Sequence, residues 1–315
     1  ALACGAVLAL GFALAQRRGR RLATLTGVPV KPLTGPAAAA LGAGPISAAP
    51  ALAARTPRPA LLGPGALVGD NYRLIQQLDS GAMGPAYEAM DLTGRKKVFL
   101  KRIRDELHRN EKDFQRFLAA AREAAGIEHP GLVGIEAVFL DDERVHLVME
   151  WVPGKPLAAY LEEGNRIELE SVKRFLGDAA GAVDFAHDRK LIHGDLRPGK
   201  ILVGEDGSAK VADLGLGLQA RRAASKLAWG ESIGSPAYLA PEQELGSALK
   251  ESDIYSLGVV LYEMLTGHLP FEGPNFLAQK RELHYRRPSE VREGVPAAAD
   301  AVVAKALEIE PQNRY

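Results

Sequence analysis

The apolar pattern of this chain changes period once, near Gly154, and that change limits the fold more than any other feature. From about Asn71 the segments are short and alternating, as in YRLIQQL, AYEAM and KVFLKRI, with GIEAVFL and RVHLVMEW further on. Alternation of this kind suits strands that bury one face. One stretch among them, EKDFQRFLAAAREAAG, has helical spacing instead. Beyond Gly154 the segments lengthen, and VKRFLGDAAGAVDFAHD and DIYSLGVVLYEMLTG read as helices. A sheet-rich part followed by a helical part is an α+β arrangement, so the sequence predicts two lobes. The first, β-rich, covers about 70–151, and the second, helical, about 152–315.

Length and composition agree with folded domains. At roughly 150 residues per domain, 315 residues allow two. The 47% hydrophobic and 25% charged content excludes a disordered, collagen-like or multi-span membrane chain. A single cysteine, Cys4, excludes an internal disulfide and a zinc ribbon.

The net charge of zero hides a division. Up to Gly69 the chain has Arg17, Arg18, Arg20, Arg21, Lys31, Arg55 and Arg58 and no acidic residue, so the remainder carries the compensating negative charge. A basic arm beside an acidic domain argues against nucleic acid as a partner, because the basic surface would then lie on the fold itself. Residues 1–15, ALACGAVLALGFALA, have no charge and run straight into QRRGRR. A spanning helix needs about 20 apolar residues. The expectation is a partial transmembrane helix whose missing turns lie upstream, with the basic residues marking its cytoplasmic side. A signal-peptide core is the alternative, since Ala13-Leu14-Ala15 resembles a cleavage site. Residues 16–69 are first basic, then rich in Ala, Pro and Gly, and read as a semi-extended linker.

Chemistry concentrates after residue 70. In LDSGAMGPAYEA, Gly81 and Gly84 could form a turn whose backbone N–H groups approach a phosphate, and a plain hairpin explains them equally well. Lys101 ends the strand VFLK, where it could meet phosphate oxygens as a point charge, although a strand lysine is usually just solvated. Stronger is HGDLRPGKIL at 193–202 followed by KVADLGL at 210–216. Their aspartates, Asp195 and Asp213, suit one carboxylate that orients a hydroxyl nucleophile and another that binds a phosphate-bridging magnesium.

With GSPAYLAPEQ at 234–243, DIYSLGVVLYEMLTGHLPF at 253–271 and KALEIEPQNRY at the end, the chain from 72 to 315 resembles a bacterial eukaryotic-like serine/threonine protein kinase. The resemblance implies the two-lobed protein kinase fold over 70–315, with ATP and Mg2+ or Mn2+ as cofactors. It implies Lys101 on the α and β phosphates, Asp195 as catalytic base, Arg197 on the transferring phosphate and Asp213 as metal ligand. It further implies adenine bound by Glu150 C=O and Val152 N–H behind Met149, between Leu78, Ala86 and Leu202. Glu242 and Arg314 match the family's buried ion pair in the large lobe, a structural feature.

Several positions depart from the family pattern. Asp79 replaces the first loop glycine, and Phe99 stands where a small alanine touches adenine. Ala120 occupies the position of the helix glutamate that pairs with the strand lysine; Glu123, about one turn on, either substitutes or is a solvated charge. Lys200 replaces the asparagine that holds a second magnesium. Gly194 replaces the arginine that clamps a phosphorylated activation loop, so control by such a switch is not expected. The leading expectation is a membrane-tethered kinase with a cytoplasmic catalytic domain, acting on Ser/Thr hydroxyls of proteins. Confinement of tethered copies would favour a homodimer. The rival reading is a pseudokinase that scaffolds or binds nucleotide without turnover.

Overall fold

A computed structural model describes residues 62–81, 83–105, 110–142, 144–162, 166–225 and 235–315. The expected membrane helix at 1–15 and the linker through residue 61 lie outside the described residues. Among those described, no helix is long and apolar enough to cross a membrane. The chain forms two compact units. Among the described residues, one joins those up to Asp105 with those of Glu136–Trp151, and the other joins 110–135 with those of Val152–Tyr315.

The first unit is an antiparallel sheet. Its strands are β1 (Leu67–Val68), β2 (Tyr72–Gly81), β3 (Gly84–Asp91), β4 (Lys96–Arg102), β5 (Ile135–Asp141) and β6 (Arg144–Glu150), in the spatial order β1-β2-β3-β4-β6-β5. Because successive side chains point to opposite faces, Val98 and Leu100 of β4 join Val68, Leu74, Tyr87, Ala89 and Val148 in a small core. Phe99 and Lys101 therefore face the other way. The alternation read from KVFLKRI has this division as its cause.

The second unit is mostly helical. Its helices are α1 (Glu111–Ala125), α2 (Leu169–His187), α3 (Leu216–Ser225), α4 (Lys250–Thr266), α5 (Phe276–Arg281) and α6 (Ala297–Ala306), joined by shorter turns. A small sheet of β7 (Gly154–Pro156), β8 (Ile201–Gly204) and β9 (Ala209–Val211) completes it. Helix α1 starts where the Asn110 side chain accepts the Asp113 N–H at 3.1 Å. Its buried stripe, Phe117, Leu118, Ala121 and Ala124, follows helical spacing. Helix α4 is apolar around most of its circumference, which is why it lies inside the core with α2 on one side and α6 on another. Gly258 permits that approach: a Cβ there would stand 2.7 Å from the Cβ of Ala306. Gly267, at φ +77°, closes the helix in the left-handed conformation.

Candidate active site

In the sheet unit, Ala86 of β3 pairs with Lys101, and Lys101 pairs with Leu147 of β6. The adjacent row is Glu88, Phe99 and Met149. Ala86, Lys101 and Met149 thus share the sheet face opposite the small core. Lys101 is buried, with its ammonium 5.6 Å from the centroid of the Phe99 ring. Glu150 ends β6 opposite Val98, and Leu78 is exposed on β2. Gly81 and Gly84 face each other where β2 turns into β3. Gly84 has φ +131°, and a Cβ there would fall 2.1 Å from the carbonyl oxygen of Arg102, so the close approach of the start of β3 to the end of β4 requires this glycine.

In the helical unit the catalytic-loop sequence is held by its backbone. Asp253, buried near the start of α4, accepts the N–H of His193 at 2.9 Å and of Gly194 at 2.7 Å, and its carboxylate lies 2.8 Å from His187 Nε2. His193 is fully buried and works on both sides of its ring. Nδ1 accepts the Asp195 N–H at 3.2 Å, so Nε2 is the protonated nitrogen and donates to Ala212 O at 2.8 Å. One imidazole thereby ties the loop carrying Asp195 to the residue before Asp213. Asp195 is buried, and Arg197 Nε lies 3.8 Å from its Oδ2.

Pairing of Ile201 in β8 with Val211 in β9 sets Lys200 beside Ala212, whose N–H donates to Lys200 O at 2.9 Å. From there the Lys200 ammonium reaches Oδ2 of Asp213 in an ion pair. Asp213 has φ +61°, a conformation that costs energy for any residue with a side chain. Leu202 is half-buried on the β8 face opposite Ile201 and Val203, and Val152 is half-buried before β7.

Next to this loop lies a feature that the sequence pattern did not disclose. Helix α3, directly after DLG, packs against α1 and against the catalytic loop. A Cβ on Gly194 would be 2.9 Å from the Cβ of Leu218, and a Cβ on Gly217 would be 2.4 Å from the Cβ of Asp195. Glycine on both sides lets the helix lie directly on the aspartate. Glu123 is exposed on α1, while Ala120 is half-buried.

Sequence reasoning also missed two anchors. Asp253 was visible only as part of the helix DIYSLG, because its partners lie about sixty positions away in the chain. The other, Lys280 of α5, is fully buried and donates to Pro236 O at 2.6 Å, Leu239 O at 2.8 Å and Glu244 Oε1 at 2.5 Å. All three of its N–H donors are used, and they fix the segment around GSPAYLAPE.

As for cations, among the described residues no group of three or more His, Cys, Asp or Glu side chains is placed to hold a metal ion. Asp213 can supply one carboxylate to an ion whose remaining ligands are phosphate oxygens and water, the usual manner for magnesium. The Lys200 ammonium, which has donors only, cannot be a second ligand.

Comparison with known proteins gives a consistent result. The family model for the protein kinase domain matches residues 72–315. A probable serine/threonine-protein kinase PknB of Lactococcus lactis is 33% identical over 257 residues, covering 80% of this chain and 41% of that protein. The serine/threonine-protein kinase PknL of Mycobacterium tuberculosis is 35% identical over 254 residues, covering 79% of this chain and 63% of its own length. The chain therefore spans about two fifths of the first relative and under two thirds of the second. A crystal structure of the Mycobacterium tuberculosis PknI kinase domain superposes with a TM-score of 0.63 at 21% identity, covering 81% of this chain and 94% of that one, and shows the same two-lobed fold.

Proposed function

Since this chain belongs to the protein kinase family, we propose that it transfers the γ-phosphoryl group of ATP to serine or threonine hydroxyls of protein substrates. The observation that carries this reading is the catalytic loop. Asp195, Arg197 and Asp213 stand in one segment whose backbone is pinned by Asp253 and His193. The Asp195 carboxylate would accept the proton of the attacking hydroxyl as the oxygen forms its bond to phosphorus and the β-phosphate leaves. The Arg197 guanidinium, at 3.8 Å from Asp195, adds positive charge where the transferring group becomes most anionic. Lys101 would hold the α and β phosphates. A divalent ion bound through Asp213 would neutralise the leaving phosphates.

Asp195→Asn keeps the shape of the loop and removes the base. Transfer to a protein substrate should fall by about 10²-fold or more, while ATP binding stays near parental. Transfer at the parental rate by this variant would refute the assignment. A pseudokinase reading has its own support: Phe99 lies beside Lys101, the Asp213 carboxylate carries an internal ammonium, and α3 lies on Asp195. Absence of transfer by the parent, whether or not it binds nucleotide, would favour it.

The same proposal places the domain at a membrane. Residues 1–15 are uncharged, and QRRGRR follows directly. Each arginine near anionic lipid would add about 1 kcal/mol of attraction. The full chain should therefore sediment with vesicles and resist extraction by salt, and a chain beginning at residue 62 should remain in the supernatant. Equal recovery of both in the supernatant would overturn the attachment.

A further inference from the structure

The cation arrangement around Asp213 differs from the two-ion pattern of the family, and the difference is a built feature. Lys200 is no loosely held surface lysine. Its N–H donates to Arg197 O at 2.8 Å and its carbonyl accepts from Ala212 at 2.9 Å, so the backbone on both sides is fixed. Its side chain is 12% exposed and the Asp213 carboxylate 4%, and the two form an ion pair. An ammonium and a carboxylate this buried hold each other firmly, because separating them leaves a charge in a poorly solvated place. The position is also the one where an asparagine would offer a carbonyl oxygen to a cation.

We propose that the Lys200 ammonium permanently takes the place of one divalent cation at Asp213, so that this chain binds nucleoside triphosphate with a single metal ion. The inference rests on the nucleotide-binding reading given above. The carboxylate is already shared with one positive charge, and two N–H donors of the ammonium remain to face phosphate oxygens. A second divalent ion would have to displace that ammonium or sit against it with like-charge repulsion. Lys200 is thus a phosphate-positioning residue, and the ion that remains is held by Asp213 together with the phosphates.

The test counts metal rather than product. With the non-hydrolysable analogue AMP-PNP and Mn2+, electron paramagnetic resonance should find one Mn2+ per bound nucleotide in the parent and two in Lys200→Asn. Lys200→Met, which removes the charge without adding a ligand, should keep one Mn2+ and lose about tenfold in nucleotide affinity. Two Mn2+ in the parent, or one in both the parent and Lys200→Asn, would overturn the proposal. If no variant binds AMP-PNP, the nucleotide-binding reading fails, and Mn2+ alone still decides the role of Lys200. Thermal unfolding of Lys200→Asn should shift upward with millimolar Mn2+, and the shift should vanish in Lys200→Asn combined with Asp213→Asn. An equal shift in the parent would show that Lys200 does not hold the place of a cation.

Discussion

Arg314→Met is expected to destabilise the helical unit by about 3–5 kcal/mol, the usual cost of leaving one partner of a buried ion pair alone. The guanidinium has five N–H donors and all five are used. Nη1 and Nη2 grip Glu242 in a fork at 2.7 and 3.0 Å, while Glu251 O, Glu308 O and Ile309 O accept the rest at 3.0, 2.8 and 3.0 Å. Its side chain is fully buried, with the Tyr255 ring 4.9 Å from the guanidinium carbon. Arg314→Lys should recover only part of the loss, since an ammonium cannot reproduce a planar fork. Thermal unfolding should drop by roughly 10 °C for the methionine variant, taking about 2–4 °C per kcal/mol at this size. A change under about 1 kcal/mol would show that the pair does not hold the fold.

The same pair has an acid signature. Burial alone would raise the Glu242 carboxyl, but hydrogen bonds from Arg314 and from Ser252, the latter at 2.7 Å, outweigh it and hold the group below the ordinary carboxylate range. A depressed folded-state value means that the contribution is fully present above the unfolded value of about 4.3 and is lost as pH falls through the folded one. The stability gap between the parent and Glu242→Gln should therefore be widest near neutral pH and should narrow on acidification below the ordinary carboxylate range. Urea titrations at several pH values measure it.

Much of this architecture is legible in the amino-acid order, because it is set by local periodicity. The alternation in AYEAM and KVFLKRI is the alternation of Tyr87, Ala89, Val98 and Leu100 into one core, and the apolar run of DIYSLGVVLYEML is a helix buried nearly all round. The motifs around Asp195 and Asp213 are equally local, as is the match of Glu242 to Arg314 through the family pattern. What escapes the sequence depends on distant partners. Helix α3 buries Leu216 and Ala220, one turn apart, yet the rest of LGLQARRAAS is too polar and too short to be helical without the surfaces of α1 and the catalytic loop. Lys200 is visible as a departure, but its ion pair with Asp213 follows only once β8 and β9 are paired. Gly194 reads as a lost arginine until Leu218 is seen to occupy the space.

That last contact leads to the other large effect, in Gly194→Arg. At φ +71° any side chain costs about 1–2 kcal/mol for the left-handed backbone, before its contacts are considered. The new Cβ would then stand 2.9 Å from Leu218 Cβ and 3.4 Å from its Cγ and Cδ1. Cβ is bonded directly to the backbone of α3, so no rotation of Leu218 relieves the overlap and the helix must move. The loop cannot yield instead, because Asp253 holds the Gly194 N–H at 2.7 Å and Gln243 Nε2 donates to its carbonyl at 3.0 Å. An arginine that clamps a phosphorylated segment and a helix lying on Asp195 are thus alternatives for one space, and this chain has the second. Hydrogen exchange should show the amides of 216–225 losing at least tenfold in protection in Gly194→Arg, while those of α4 retain theirs. Gly177→Ala serves as the control, since a Cβ at that helical glycine meets nothing within 4 Å and should leave 216–225 unchanged. Unaltered protection of 216–225 in Gly194→Arg would mean that α3 is held by its contact with α1 alone and that the glycine has no part in seating it.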